Sequence, residues 1–171
     1  IVGPSISSYN HDWMTGFLTA SKNAGTVPDV ISWHLWNADA LPGELSDLRG
    51  IESSLGISPR PVSINEYAWP DQVDVPSSSL RYLATFERAT DVRDAERAYW
   101  YESGTMGGLF VNGQPTGTYW LYKWYGDMTG SMVSVAQNGL QDGIASLDGT
   151  RKILTAVVGG ATGDNTVSVK N

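Results

Sequence analysis

Pro61-Val62-Ser63-Ile64-Asn65-Glu66-Tyr67-Ala68-Trp69-Pro70 opens as a short apolar strand and closes on a carboxylate, two aromatic rings and a proline. Val62 and Ile64 are β-branched and alternate with polar neighbours, the pattern of a half-buried strand. On strict alternation Glu66 shares their side, and Ser63 and Asn65 take the other. Pro70 then turns the chain into a loop. A carboxylate at the C-terminal end of a strand is costly to desolvate unless it has a partner or a task. A strand-end Glu paired with an arginine, or capping the next helix, satisfies the position as well as a catalytic group does.

Upstream, Val30-Ile31-Ser32-Trp33-His34-Leu35-Trp36 is an uncharged strand. Ser32, His34 and Trp36 share one parity, which brings an imidazole and an indole to the same rim as Glu66. Ile1-Val2-Gly3-Pro4-Ser5 begins a third strand-like run. Helical segments separate these runs. Trp13, Phe17 and Leu18 recur at helical spacing after the cap candidates Ser8-Tyr9-Asn10, and Gly25 and Pro28 punctuate the end. Leu45, Leu48, Ile51 and Leu55 mark a second helix, ended by Gly56.

Downstream, a polar loop is expected over 70–79 and helix over 80–101, with a break near Thr90-Asp91. A fourth, glycine-bearing strand is expected over 104–111, then a short aromatic helix over 119–128. Strand–helix alternation implies parallel strands with helical crossovers. After Gly130 the pattern changes to short alternating stretches at 132–135, 143–147, 153–158 and 166–169. Asn138-Gly139, Asp148-Gly149 and Gly159-Gly160 separate them as turn formers. This is an antiparallel segment too short for a complete sandwich of ~100 residues.

The expected class is therefore α/β: the C-terminal half of a (β/α)8 TIM barrel over 1–129, followed over 130–171 by part of an antiparallel β-sandwich domain. A whole barrel takes about 250 residues. Four units are half of one, so the N-terminal half of the same chain is expected to precede Ile1. An isolated half would leave open sheet edges.

Composition narrows the chemistry. A net charge of -7 and a pI near 4.6 argue against nucleic acid and against a polybasic membrane anchor. No apolar run approaches the ~18 residues of a membrane span. With no cysteine there is no thiolate nucleophile, disulfide or Cys-zinc site. His11 and His34 are the only histidines, too few for a three-His metal centre. No Gly-x-Ser-x-Gly elbow, phosphate loop or dinucleotide fingerprint occurs. Seven Trp and eight Tyr stand against three Phe; rings with a polar edge suit surfaces that stack on sugars, and equally suit a core.

Sugar hydrolysis needs two carboxyl groups flanking the bond. Asp12, Asp39, Glu44 and Asp47 are placed at helix starts, Asp71 and Asp74 in the polar loop, and Glu102 near a helix end. None follows a strand as Glu66 does.

The succession Ile1-Val2-Gly3-Pro4-Ser5, Ser32-Trp33-His34-Leu35-Trp36 and Ser63-Ile64-Asn65-Glu66-Tyr67 resembles barrel strands five, six and seven of clan A retaining glycoside hydrolases, most like family 39 and its fungal relatives. That resemblance implies Glu66 as the catalytic nucleophile, with His34, Trp36, Asn65, Tyr67 and Trp69 at the substrate. It implies a general acid/base supplied as Asn-Glu before Ile1, a carbohydrate substrate, no metal or organic cofactor, and secretion. Glu66-Tyr67 departs from the Glu-Trp usual in family 39, which bears on the family more than on the clan. Two other readings stand beside this one. They are a barrel that binds carbohydrate without cleaving it, and a self-standing α/β interaction domain.

Overall fold

Four parallel strands lie side by side in chain order: β1 (Val2–Ile6), β2 (Val30–Leu35), β3 (Val62–Tyr67) and β4 (Val92–Arg97). The computed structural model describes residues 1–98, 104–164 and 166–170. Parallel neighbours require a crossover, and each here is a helix. These are α1 (His11–Asn23), α2 (Leu41–Leu55) and α3 (Pro76–Arg88). The Asn10 side chain accepts the Trp13 N–H at 2.9 Å and caps α1. Gly56, at φ 62, ends α2 in the left-handed region. Pro76 stands in the first turn of α3, where its missing N–H costs nothing.

One face of the sheet carries the apolar core. Ile31, Trp33, Leu35, Val62 and Ile64 are buried against Met14 and Leu18 of α1 and Leu41, Leu48 and Ile51 of α2. The opposite face carries a polar row, with one residue contributed by each strand. Ser5 and Ser32 share a hydroxyl hydrogen bond of 2.9 Å, Ser32 pairs in register with Ser63, and Ser63 hydrogen-bonds Asp94.

The downstream half departs from the sequence expectation. Helix α3 begins earlier, at Pro76, and ends at Arg88. The fourth parallel strand is Val92–Arg97, inside the stretch expected to be helical. Residues 104–109 turn instead of forming a strand. Gly104, Met106, Gly107 and Gly108 all have positive φ, from 50 to 82°, which an extended strand does not contain. The last residues of the expected helix, 99–101, fall outside the described residues, as does Glu102. Only Phe110–Val111 of the expected strand is extended; it forms a two-residue ladder, β5, with β6 (Gln114–Pro115). The aromatic helix is present as α4 (Gly117–Gly126), capped by Thr116.

Three antiparallel strands follow, β7 (Ser131–Val133), β8 (Asp142–Asp148) and β9 (Ile153–Gly159), in that order. The alternating residues 166–169 form no strand. Gly130, at φ 85, is required, because a Cβ there would collide with the backbone of Leu147 and Asp148. Leu80, Leu83 and Ala84 of α3, with Leu121 of α4 and Ile144 of β8, form a second core that joins this sheet to the helices. Beside it Asp142, almost wholly buried, is gripped by Arg88 at 2.7 and 2.8 Å and by Arg81 at 3.1 Å. The chain is thus a mixed α/β structure with a parallel sheet and antiparallel sheets. Among the described residues no helix is long and apolar enough to cross a membrane.

Candidate active site

The site is built by an irregularity in β3. Trp33 pairs with Ile64 and His34 with Glu66, so two residues of β3 advance against one of β2. The strict alternation expected from sequence therefore fails at this point: the extra residue moves Glu66 off the side of Val62 and Ile64 and onto the side of His34. His34 Nδ1 lies 3.1 Å from Glu66 Oε2, placed to donate to it. Both side chains are partly exposed, at 21% and 31%, so the pair stands at an accessible rim.

Two indoles complete the rim. Trp36 meets the edge of His34 at 5.3 Å and 84°, and stacks on Trp69 at 4.7 Å and 28°. The Trp36 indole N–H donates to the Ser7 carbonyl, which fixes its plane. Trp69 is 45% exposed, and its backbone N–H donates to Gln72 Oε1 at 2.9 Å. A sugar's C–H-rich face suits such a surface, with a carboxylate and an imidazole beside it.

The same irregularity sends Tyr67 the other way. Expected at the sugar, it is 2% exposed and lies in the core against Tyr82 and Phe86. Its hydroxyl meets that of Tyr122 at 2.8 Å, and burial holds its ionisation above the usual phenol range. Ala68 makes the turn between buried Tyr67 and exposed Trp69 with φ 78, an uncommon conformation for a residue with a Cβ. Asn65 occupies the extra position, and its buried Oδ1 has no hydrogen-bond partner among the described residues.

Strand β4 adds two acidic residues to this face that sequence reading missed, because the segment scans as charged helix. Burial would raise the Asp94 carboxyl, but hydrogen bonds from Ser63 and Arg93 hold it below the usual range. Glu96 shares its parity, opposite the irregular step of β3, and is held above the usual range by burial and by Asp94. Three other carboxylates weighed from sequence have structural partners. Glu44 accepts the Trp33 indole N–H at 2.8 Å, Asp47 binds Tyr9 and His11, and Asp39 pairs with Arg81.

A carboxylate, an imidazole and stacked indoles thus stand together on the exposed rim of a parallel sheet, and the chain as a whole is similar to known glycosidases. The chain is 31% identical, over its whole length, to a 3-O-β-L-arabinopyranosyl-α-L-arabinofuranosidase of Bifidobacterium pseudocatenulatum. It is 32% identical, over 94% of its length, to a 3-O-α-D-galactosyl-α-L-arabinofuranosidase of Bifidobacterium longum subsp. longum. The solved structure of N2152 from Neocallimastix frontalis matches 94% of this chain at 39% identity with a TM-score of 0.80. A family 39 β-xylosidase from Caulobacter crescentus matches 86% of it with a TM-score of 0.58 at 17% identity, a likeness of fold.

The chain is similar to clan A glycoside hydrolases near family 39.

No family model matches the sequence. The chain spans 18% and 15% of the two arabinofuranosidases, 42% of N2152 and 36% of the β-xylosidase. Among the residues of the rim, Glu66 is the partly exposed carboxylate that the geometry makes available. Nothing in the residue alternation announced the step that exposes it, since a bulge leaves no compositional trace when its extra residue is an ordinary Asn.

Proposed function

We propose that the protein hydrolyses O-glycosidic bonds by a retaining double displacement, with Glu66 as nucleophile and arabinofuranosides as the substrate class. The observation that carries this reading is the step in β3 that sets Glu66 beside His34 and next to the Trp36–Trp69 stack. A Glu66 oxygen attacks the anomeric carbon, the bond to the leaving oxygen breaks, and a glycosyl ester forms. A carboxylic acid outside this chain protonates the leaving oxygen, then as a carboxylate takes a proton from the water that hydrolyses the ester. In retaining enzymes the two carboxyl groups stand ~5–5.5 Å apart. His34 orients Glu66 through its Nδ1–H, and Trp36 and Trp69 seat the sugar ring. Tyr67 supports the site from the core.

On this reading residues 1–129 form strands five to eight of a (β/α)8 barrel, and 130–171 begin the β-domain that follows it. The polar row Ser5, Ser32, Ser63 and Asp94 then faces the barrel interior, where a closed barrel packs its layers of side chains. Secretion is part of the same proposal, carried by resemblance.

The test is Glu66→Ala and Glu66→Gln in the full-length protein, assayed on nitrophenyl α-L-arabinofuranoside. Loss of turnover by several orders of magnitude is expected, with azide restoring part of it in the Ala variant as a glycosyl azide. Undiminished turnover would overturn the assignment.

A further inference from the structure

The two loops that carry Trp36 and Trp69 do not end at the rim. They continue into Asn37 and Gln72, which line a pocket of about 220 Å³ together with Ser77, Ser78 and Arg81 of α3 and Leu140. Leu140 belongs to the turn between β7 and β8, closed by the Asn138–Gln141 bridge, and is 79% exposed. Arg81 ties this turn to the rim loop. It pairs with Asp39 at 2.7 Å and Asp142 at 3.1 Å, and also reaches the Gly139 carbonyl. Gly160, at φ 98, lets the end of β9 close on the Leu140 carbonyl, where any Cβ would collide.

The polar lining is mainly donating, with the Asp39 carboxylate, bound to Arg81, as an acceptor at its edge. Asn37 Oδ1 is held by the Asp39 N–H at 3.1 Å. Gln72 Oε1 is held by the Trp69 N–H at 2.9 Å and by the Tyr82 hydroxyl at 3.0 Å. With each amide oxygen fixed by the protein, each amide offers its NH2 as donor. Donating amides, serine hydroxyls and one aliphatic side chain match a ring that has hydroxyls on its rim and C–H bonds on its face. The volume lies below the ~300–1,000 Å³ of drug-sized pockets, so it holds one ring.

We propose that this pocket is a second sugar subsite, which seats one ring of an oligosaccharide whose neighbouring ring lies at Glu66. This rests on the glycosidase reading above. The antiparallel sheet thereby selects substrate through Leu140, and the enzyme favours oligosaccharides over simple aryl glycosides.

The test uses the full-length protein, with arabinotriose and nitrophenyl α-L-arabinofuranoside as probes. Ser78→Trp, which fills the pocket, and Leu140→Ala, at an exposed position that folding does not need, are compared with the wild type. The ratio of kcat/KM for the trisaccharide to that for the aryl glycoside should fall about tenfold, as expected for losing one ring's contacts. An unchanged ratio in both variants overturns the subsite and leaves Glu66 standing. If the wild type cleaves neither probe, the glycosidase reading fails. The pocket is then decided by arabinotriose titrated into Glu66→Gln. Saturable shifts of the Leu140 methyl resonances support it, and their absence overturns it.

Discussion

Glu66 and Tyr67 are neighbours in the chain and leave it in opposite directions, one to the rim and one to the core. Tyr67→Phe removes a hydroxyl bonded to Tyr122 and nothing at the rim. It should cost about 1 kcal/mol, or roughly 2–4 °C in Tm for a chain of this size, with KM for an aryl glycoside unaltered; a calorimetric scan beside a rate assay checks both. A rise in KM would return Tyr67 to the substrate. Ala68, at φ 78, is the strained joint between them. Ala68→Val places a β-branched side chain where the backbone is left-handed and the site is buried. It should destabilise by about 1–3 kcal/mol, whereas Ala68→Gly should be tolerated; urea denaturation of both variants measures the difference. At this scale sequence was a partial guide. The residue types at the rim were legible, since His34, Trp36, Glu66 and Trp69 do gather there. The fate of Tyr67 was not, because it depends on a hydrogen-bond register between two strands that no single segment encodes.

Among the elements, β4 was the hardest to read. Arg93, Asp94, Glu96 and Arg97 fill four of its six positions with charge, the composition of a solvated helix. Tertiary partners override that propensity: Asp94 binds Ser63, and Arg97 donates to the carbonyls of Val73 and Gly107. The strands β1, β2 and β3, by contrast, are apolar and bounded by turn residues, so their existence and order were plain. Helix α3 is joined to β8 by the Arg88–Asp142–Arg81 clamp. Burial alone would raise the Asp142 carboxyl. The hydrogen bonds of Arg88 and the Gly143 N–H and the charges of both arginines hold it below its ordinary 3.8. The unfolded state then binds the proton first as pH falls, so the clamp's contribution is fully present above about pH 5 and is lost as pH drops below 3.8 towards the folded value. Asp142→Ala should cost about 1–3 kcal/mol near neutrality, because it takes away the carboxylate that Arg88 grips while Arg81 keeps Asp39. The deficit of Asp142→Asn relative to wild type, measured by urea melts, should shrink between pH 6 and pH 3.

For the whole molecule, the proposed half-barrel makes a measurable claim. On that proposal the 171-residue chain, expressed alone, is without the acid that protonates the leaving group, a contribution worth about 10²–10⁴-fold in rate. Its turnover of an aryl arabinofuranoside should therefore fall at least about 10²-fold below that of the full-length protein; equal rates would place the acid within these residues. Glu96 would then be the first residue to replace, since it shares a face with Glu66 and is held above the usual carboxylate range. The mixed α/β class of the molecule was readable from its alternating strands and helices, and the antiparallel strands from the change of period after Gly130. The joint between the two sheets was not readable, because Asp142 lies more than fifty residues from both Arg81 and Arg88 and meets them only once folded.

The single extra residue in β3 also makes the site answer to arithmetic. Deleting Asn65 changes no chemical group that the proposed reaction uses. It would restore simple alternation with Glu66 following Ile64 directly, so the carboxylate stays on the side of His34 and the phenol of Tyr67 stays in the core. A one-codon deletion here should therefore be far less damaging than replacing Glu66 itself, whereas straightening the strand with Asn65 kept would turn the carboxylate inward towards Tyr82 and Phe86. What mutation must preserve is the pairing of Glu66 with His34, and either the step or a strand one residue shorter preserves it.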